Sequence, residues 1–285
     1  MSLPCRSLLF VPADNPKLLA KAHQCGADAI ILDLEDAVLP ARKPEGRTGL
    51  SEQINRLHGF GMPVLVRINS AWRDVAADLE AAVRPGVTAL MVPKVEDAGA
   101  LRVLSSMVGE WETERGLRPG TVGLVALIES PLGLERMADI ARTPRMVALA
   151  LGGEDFSLAL GVEPTEAVLA LPCRQVALTA AAHGLAALGV PGSLAEYRDL
   201  ELYRALVAQA RTVGMSGVLC IHPAQLAVVR EAFAPSPRDA EWAKQVLKAW
   251  NEAQEKGQGA TSLNGSMIDR PVVERAKAIM RCHLG

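Results

Sequence analysis

Charged and polar side chains follow short apolar runs at six places in the chain: Asp33, Glu35 and Asp36; Arg67 and Asn69; Lys94 behind Pro93; Glu129 and Ser130; Glu154 and Asp155; and His222. Carboxylates that converge on one spot repel one another, and their pKa values rise unless a cation neutralises them. Glu129 and Asp155 are the best placed for such a cation, because each stands behind one of two consecutive runs. Two hard oxygen ligands without a His/Cys cluster point to Mg2+, which binds through one or two carboxylates and takes its remaining ligands from water and substrate. The same acids could instead cap helices or pair with Arg67 and Lys94. Asp33, Glu35 and Asp36 precede an Ala-Val-Leu-Pro turn and could serve as loop caps. Arg67 follows Val64-Leu-Val, where a guanidinium suits a forked contact to a substrate carboxylate or a developing oxyanion, and equally a salt bridge to a neighbouring acid.

Lys17 and Lys21 are four residues apart and share one helix face, either as solvated charges or as phosphate contacts. His222, before Pro223 and with no second His nearby, fits a hydrogen-bonded structural role better than catalysis. Lys94 has no visible device to depress its pKa for Schiff-base chemistry. No Gly-x-Ser-x-Gly elbow, P-loop or Gly-x-Gly-x-x-Gly turn is present.

The runs that precede these residues are Ser7–Val11, Ala29–Leu34, Val64–Ile68, Ala89–Val92, Gly123–Ile128, Met146–Leu151, Leu185–Val190 and Val218–Ile221. Continuous rather than alternating, they read as strands buried on both faces of a parallel sheet. Helical periodicity lies between them, at Pro16–Cys25, Val75–Val83, Leu101–Arg115, Leu132–Ala141, Glu166–His183, Ala195–Val213 and Gln225–Phe233. Eight strand–helix units in about 220 residues predict an α/β fold, a (β/α)8 TIM barrel over residues 1–235, whose carboxyl face would gather the polar strand ends. Residues 236–285 form a C-terminal helical extension: a helix over Asp239–Lys256, a flexible linker Gly257–Gly265, and a last helix over Pro271–Arg281.

A net charge of −2 without basic runs argues against nucleic acid as a partner, and no apolar run approaches the roughly 20 residues of a membrane span. The strand-like segment beginning at Ser7 leaves little room for a signal peptide, so a cytoplasmic location is expected. Five widely spaced cysteines without a Cys-x-x-Cys pair read as reduced and mostly buried.

Seven phrases in order resemble the citrate lyase beta-subunit-like and malyl-CoA lyase proteins of the HpcH/HpaI aldolase superfamily. They are Arg6-Ser-Leu-Leu-Phe-Val-Pro-Ala, Gly26-Ala-Asp-Ala-Ile-Ile-Leu-Asp-Leu-Glu-Asp-Ala-Val, Val66-Arg-Ile-Asn, Val92-Pro-Lys-Val-Glu, Leu127-Ile-Glu-Ser-Pro-Leu-Gly, Gly152-Gly-Glu-Asp-Phe and Ile221-His-Pro-Ala-Gln. The resemblance implies a barrel with Mg2+ on Glu129 and Asp155, Arg67 on the substrate, and a carbon–carbon bond made or broken beside a thioester. It also implies that Phe10, Lys17 and Lys21 hold a CoA moiety, and that Asp269, in Gly265-Ser-Met-Ile-Asp-Arg-Pro, is a catalytic residue reaching a neighbouring subunit's site. The chain departs from the family at Ala187-Leu-Gly-Val-Pro-Gly-Ser and at Gly217-Val218, which leaves the substrate open.

The expected activity is cleavage or formation of a 3-hydroxyacyl-CoA dicarboxylate such as malyl-CoA or citramalyl-CoA, giving acetyl-CoA and a 2-oxo acid. Alternatives are an aldolase of free hydroxy-oxo acids on the same metal, a citrate lyase beta subunit acting on an acyl-carrier thioester, and a non-catalytic CoA or metabolite sensor. The nine-residue linker could extend about 30 Å and cover another barrel's mouth. Asp269 would then act across an interface in an obligate homo-oligomer, a trimer or a multiple of one by resemblance. Its other reading is as the cap of the helix that begins near Pro271.

Overall fold

The computed structural model describes residues 3, 5–195, 197–255 and 257–284, with side chains up to residue 280. The chain forms two compact units, Met1–Ala232 and Phe233–Gly285.

In the first unit the elements alternate: β1 (Ser7–Pro12), α1 (Pro16–Lys21), β2 (Ala29–Asp33), α2 (Lys43–Gly59), β3 (Val64–Arg67), α3 (Trp72–Ala82), β4 (Val87–Val92), α4 (Ala98–Glu114) and β5 (Gly123–Ile128). There follow α5 (Pro131–Glu135), α6 (Met137–Ala141), β6 (Met146–Leu151), α7 (Gly153–Leu160), α8 (Glu166–Ala182), β7 (Ala186–Leu188), α9 (Leu200–Thr212), β8 (Val218–Cys220) and α10 (Ala224–Phe233). The eight strands are parallel and ordered β7-β6-β5-β4-β3-β2-β1-β8. A Leu188–Gly217 bridge and the Gly189 N–H donating to the Gly217 carbonyl at 3.1 Å join the two ends, so the sheet closes into the expected (β/α)8 barrel.

The unbroken apolar runs have a packing cause. Alternate strand residues, among them Leu8, Ile31, Leu65, Met91, Val125 and Leu219, fill the barrel interior, with Ala29, Ala89, Ala148 and Ala150 between the larger side chains. Their neighbours on each strand face the helices and are equally buried.

Helix bounds differ from the pattern in several places, and α7 has no counterpart among the expected segments. The single helix expected over Leu132–Ala141 is two short ones that meet at Arg136, whose ψ of 5° leaves the helical region. The helix expected from Ala195 begins at Leu200, where Asp199 accepts the Leu202 N–H at 3.0 Å. Helix α2 was absent from the expectation; it buries only Gly46, Leu50, Ile54 and Leu57, a stripe too thin to stand out in a polar segment.

In the second unit, α11 (Pro237–Glu255) is followed by β9 (Thr261–Leu263), β10 (Ser266–Ile268) and α12 (Arg270–Leu284). The expected linker is therefore half of an antiparallel hairpin. Asn264 and Gly265, at φ +52° and +81°, make its two-residue turn, the pairing of residue types that tolerates left-handed backbone. Ile268 packs there with Ala243, Val246, Val273 and Ala276. Because the chain folds back on itself, nine extended residues are not available as reach.

Cys5, Cys173 and Cys220 are buried and Cys25 half-buried, all free thiols; the Cys282 side chain lies outside the described residues. Among the described residues, no helix is long and apolar enough to cross a membrane.

Candidate functional site at the barrel mouth

Strands β2 and β3 run in register with Asp33 beside Arg67, and that pairing builds one wall of the mouth. Arg67 donates from Nε to Asp33 Oδ1 at 2.7 Å and from Nη2 to Oδ2 at 2.6 Å, while Nη1 lies 3.1 Å from Glu35 Oε2. Its guanidinium stands 4.8 Å over the Phe10 ring. Burial opposes its charge, but the Asp33 hydrogen bonds and the surrounding acids outweigh that and raise its pKa. Of the two readings left open for Arg67, the salt bridge is present, and the fork is engaged by Asp33. Asp33 also accepts the N–H groups of Glu35 and Ala37, so it is the loop cap its position suggested. Glu35 is different. Both of its oxygens are buried without hydrogen bonds, held only by ion pairs to Arg67 and Lys94, and burial pushes its carboxyl up to about 7.

Strands β4, β5 and β6 build the opposite wall. Lys94 has a left-handed backbone, φ +52°, and its N–H donates to Glu129 Oε2 at 2.6 Å. Glu129 is buried at the end of β5; burial first, then the charges of Glu35 and Asp155, push it up to about 7, against the Lys94 N–H and Arg67. A Cβ on Gly152 would stand 2.5 Å from Glu129 Cγ and 2.6 Å from Oε1, so this glycine leaves the space the carboxylate occupies. Asp155 sits in the first turn of α7, where the helix dipole favours an anion.

Phe10, Asp33, Arg67, Glu129 and Asp155 line one cavity of about 420 Å3, with Leu194 and Ile221 on its apolar side. The donor set suits a divalent cation. Among the described residues Glu129 Oε1 accepts no hydrogen bond while Oε2 is held, its carboxyl is buried beside the acids Glu35 and Asp155, and two carboxylates suffice for Mg2+. Among the described residues no cluster of three or more His, Cys, Asp or Glu side chains is disposed around a metal position.

The other expected residues make other contacts. Lys17 and Lys21 are exposed on α1, behind the Asn15 cap, and do not line this cavity. Asp269, in the second unit, accepts the Val272 N–H at 3.3 Å and so caps α12. His222 accepts the Ala224 N–H on Nδ1 at 3.1 Å and stacks on Tyr197 at 4.5 Å, a structural role.

Gln225, Gly152 and the Lys94 backbone were not foreseen. The fully buried Gln225 amide accepts from Ile221 and His222 and donates to the Leu194 carbonyl at 3.0 Å, tying the loop after β7 to the mouth. The Gly152-Gly153 doublet behind a strand was a usable signal. Nothing in a lysine announces a left-handed backbone.

The family described as HpcH/HpaI aldolase/citrate lyase matches residues 6–223. Citrate lyase subunit beta of Leuconostoc mesenteroides subsp. cremoris is 34% identical over 281 residues, covering 97% of this chain and 92% of that protein. The L-malyl-CoA/beta-methylmalyl-CoA lyase of Cereibacter sphaeroides is 32% identical over 310 residues, covering 98% and 94%. The crystal structure of CitE from Mycobacterium tuberculosis in complex with magnesium, acetoacetate and coenzyme A superposes with a TM-score of 0.77 at 31% identity, covering 99% of this chain and 100% of that one.

Proposed function

Because the chain belongs to the HpcH/HpaI aldolase/citrate lyase family, we propose that it is a Mg2+-dependent carbon–carbon lyase that cleaves a 3-hydroxyacyl-CoA dicarboxylate, such as malyl-CoA or citramalyl-CoA, to acetyl-CoA and a 2-oxo acid. The observation that carries this reading is the single cavity in which Glu129 and Asp155 meet Arg67 and Phe10. The magnesium, acetoacetate and coenzyme A in the CitE structure support it.

Glu129 and Asp155 are the residues to hold Mg2+, which when bound polarises the substrate hydroxyl and the adjacent carboxylate as a Lewis acid. Glu129 is pre-aimed by the Lys94 N–H on one oxygen and the open space at Gly152 beside the other. Arg67, fixed by Asp33, presents a stationary positive charge to the thioester enolate oxygen that develops as the carbon–carbon bond breaks; a charge that need not reorganise stabilises that oxyanion best. Phe10 gives the thioester an apolar wall, and Lys17 and Lys21 are point charges for the CoA phosphates. As the carbon–carbon bond breaks, the hydroxyl gives up its proton to solvent and becomes the carbonyl of the 2-oxo acid. Asp269, supplied in its acid form by a neighbouring copy in a homo-oligomer, protonates the enolate carbon and regains a proton from solvent; in the condensing direction its carboxylate removes that proton.

A second reading, a subunit of a larger lyase working on a carrier-bound thioester, is favoured by the 34% identity to a citrate lyase subunit beta. One assay separates the readings: acyl-CoA, carrier-bound and free-acid substrates are compared with Mg2+ and with excess chelator. Turnover of the CoA thioester alone, abolished by chelator, is the expected result; full activity in chelator would sink the metal role.

A further inference from the structure

Among the described residues two cationic side chains border the mouth, Arg67 and Lys94, and they differ in freedom. Arg67 is 12% exposed, with Nε and Nη2 spent on Asp33 and Nη1 beside Glu35 and Asp36. Lys94 is 46% exposed, and its ammonium lies 3.6 Å from Glu35 Oε1, beyond hydrogen-bond geometry. Among the described residues no hydrogen bond uses any of its three N–H donors. The backbone of the same residue takes a left-handed conformation that a side chain adopts at a cost, and its N–H donates to Glu129. The side chain borders a neighbouring cavity of about 290 Å3 that shares Glu129 and Asp155 with the first and is also lined by Ser130 and a third acid, Glu96; neither Arg67 nor Phe10 lines it, and among the described residues Lys94 is its one cation.

We propose that Lys94 is a substrate-contacting residue: its ammonium binds the carboxylate of the 2-oxo acid half of the substrate in this second cavity, and Glu35 is the positioning residue that holds it beside Glu129 and Asp155. The inference rests on the lyase reading and adds to it. Arg67 serves the thioester half from one side of the carboxylate pair, and Lys94 serves the acid half from the other. An ammonium point charge suits a small carboxylate whose angle of approach varies, where the engaged fork of Arg67 does not.

The test is equilibrium binding of pyruvate and, separately, of Mg2+ to the full-length protein, comparing wild type with Lys94→Met, Lys94→Arg and Glu35→Gln. Loss of one charge-assisted contact should weaken pyruvate binding by roughly tenfold or more in Lys94→Met, with partial recovery in Lys94→Arg. Mg2+ should bind Lys94→Met as tightly as wild type or more tightly, since a like charge leaves the carboxylate pair. Glu35→Gln should weaken pyruvate binding in the wild-type background and leave it unchanged in Lys94→Met. Unchanged pyruvate binding in Lys94→Met would overturn the proposal, and so would loss of Mg2+ and pyruvate together, because the residue would then act only through its backbone hold on Glu129. An equal effect of Glu35→Gln in both backgrounds would overturn the positioning role. If methionine is not tolerated at this φ, Lys94→Asn removes the ammonium with a residue that accepts left-handed backbone. Thioester turnover is read independently: a wild type that binds pyruvate through Lys94 yet cleaves no acyl thioester refutes the lyase reading and leaves Lys94 in place.

Discussion

Glu129 shows how burial can prepare a ligand. Its carboxyl is raised from an ordinary 4.5 to about 7, so without metal the folded chain keeps a proton there that the unfolded chain loses earlier. The stability this contributes is fully present below pH 4.5 and is lost as pH rises through 7. A divalent cation competes with that proton and replaces it. The rise in melting temperature on adding Mg2+ should therefore be small near pH 5.5 and large near pH 8. Glu129→Gln should abolish the rise, and a Mg2+ response that survives in this variant would count against the assignment. Glu35, also raised to about 7, should leave part of the metal-free pH dependence in place. Gly152→Ala is a sharper probe, because its Cβ would fall 2.5 Å from Glu129 Cγ. We expect loss of the Mg2+ response and at least a roughly tenfold fall in turnover, with an unaltered far-ultraviolet circular dichroism spectrum. At this scale the acids and Arg67 were legible in the sequence as polar residues behind apolar runs. That Arg67 is clamped by Asp33 was not, since the clamp depends on the register of β2 against β3.

Among the elements, the barrel strands were legible because burial on both faces writes an uninterrupted apolar run, and β5 and β6 have the expected bounds. Helices with thin apolar stripes, such as α2, were not. The attachment of α4 to β5 illustrates what holds such elements. Glu112 is fully buried on α4 and accepts the N–H groups of Gly120 at 2.8 Å and Val122 at 2.7 Å, and it pairs with Arg145 at 2.8 Å. Glu112→Ala leaves two backbone donors and a guanidinium without that acceptor, and should cost about 3–5 kcal/mol in urea denaturation. A loss below about 1 kcal/mol would show that water substitutes for the carboxylate. The hairpin of the second unit makes the converse point. Asn264-Gly265 is a strong turn signal, but it is set in a Gly, Gln, Thr and Ser composition that reads as a linker.

For the whole molecule, the proposed role of Asp269 in a neighbouring copy's site can be tested by complementation. Chains carrying Asp269→Ala and chains carrying Arg67→Ala should each be inactive, and hybrids of the two should recover part of the activity, because some sites then receive one intact copy of each residue. Verified hybrids without recovery, or a fully active monomer, would remove the shared-site claim. Asp269→Asn offers a control: as a helix N-cap Asn is about as good as Asp, so stability should hold within roughly 0.5 kcal/mol while turnover falls.

The order of apolar runs, the polar residues behind them and the seven family phrases were sufficient to establish the barrel, the family and the set of candidate residues, because these are properties of local pattern and of position along the chain. What tertiary structure decided is which partners those residues keep. Arg67 and Asp33 lie 34 residues apart, and Lys94 and Glu129 lie 35 apart, and only strand register brings each pair together. Gly152 matters for the atom that a side chain there would strike, and Lys94 for a backbone angle that its residue type does not favour. Such contacts and angles arise when the sheet closes, and no spacing along the sequence encodes them.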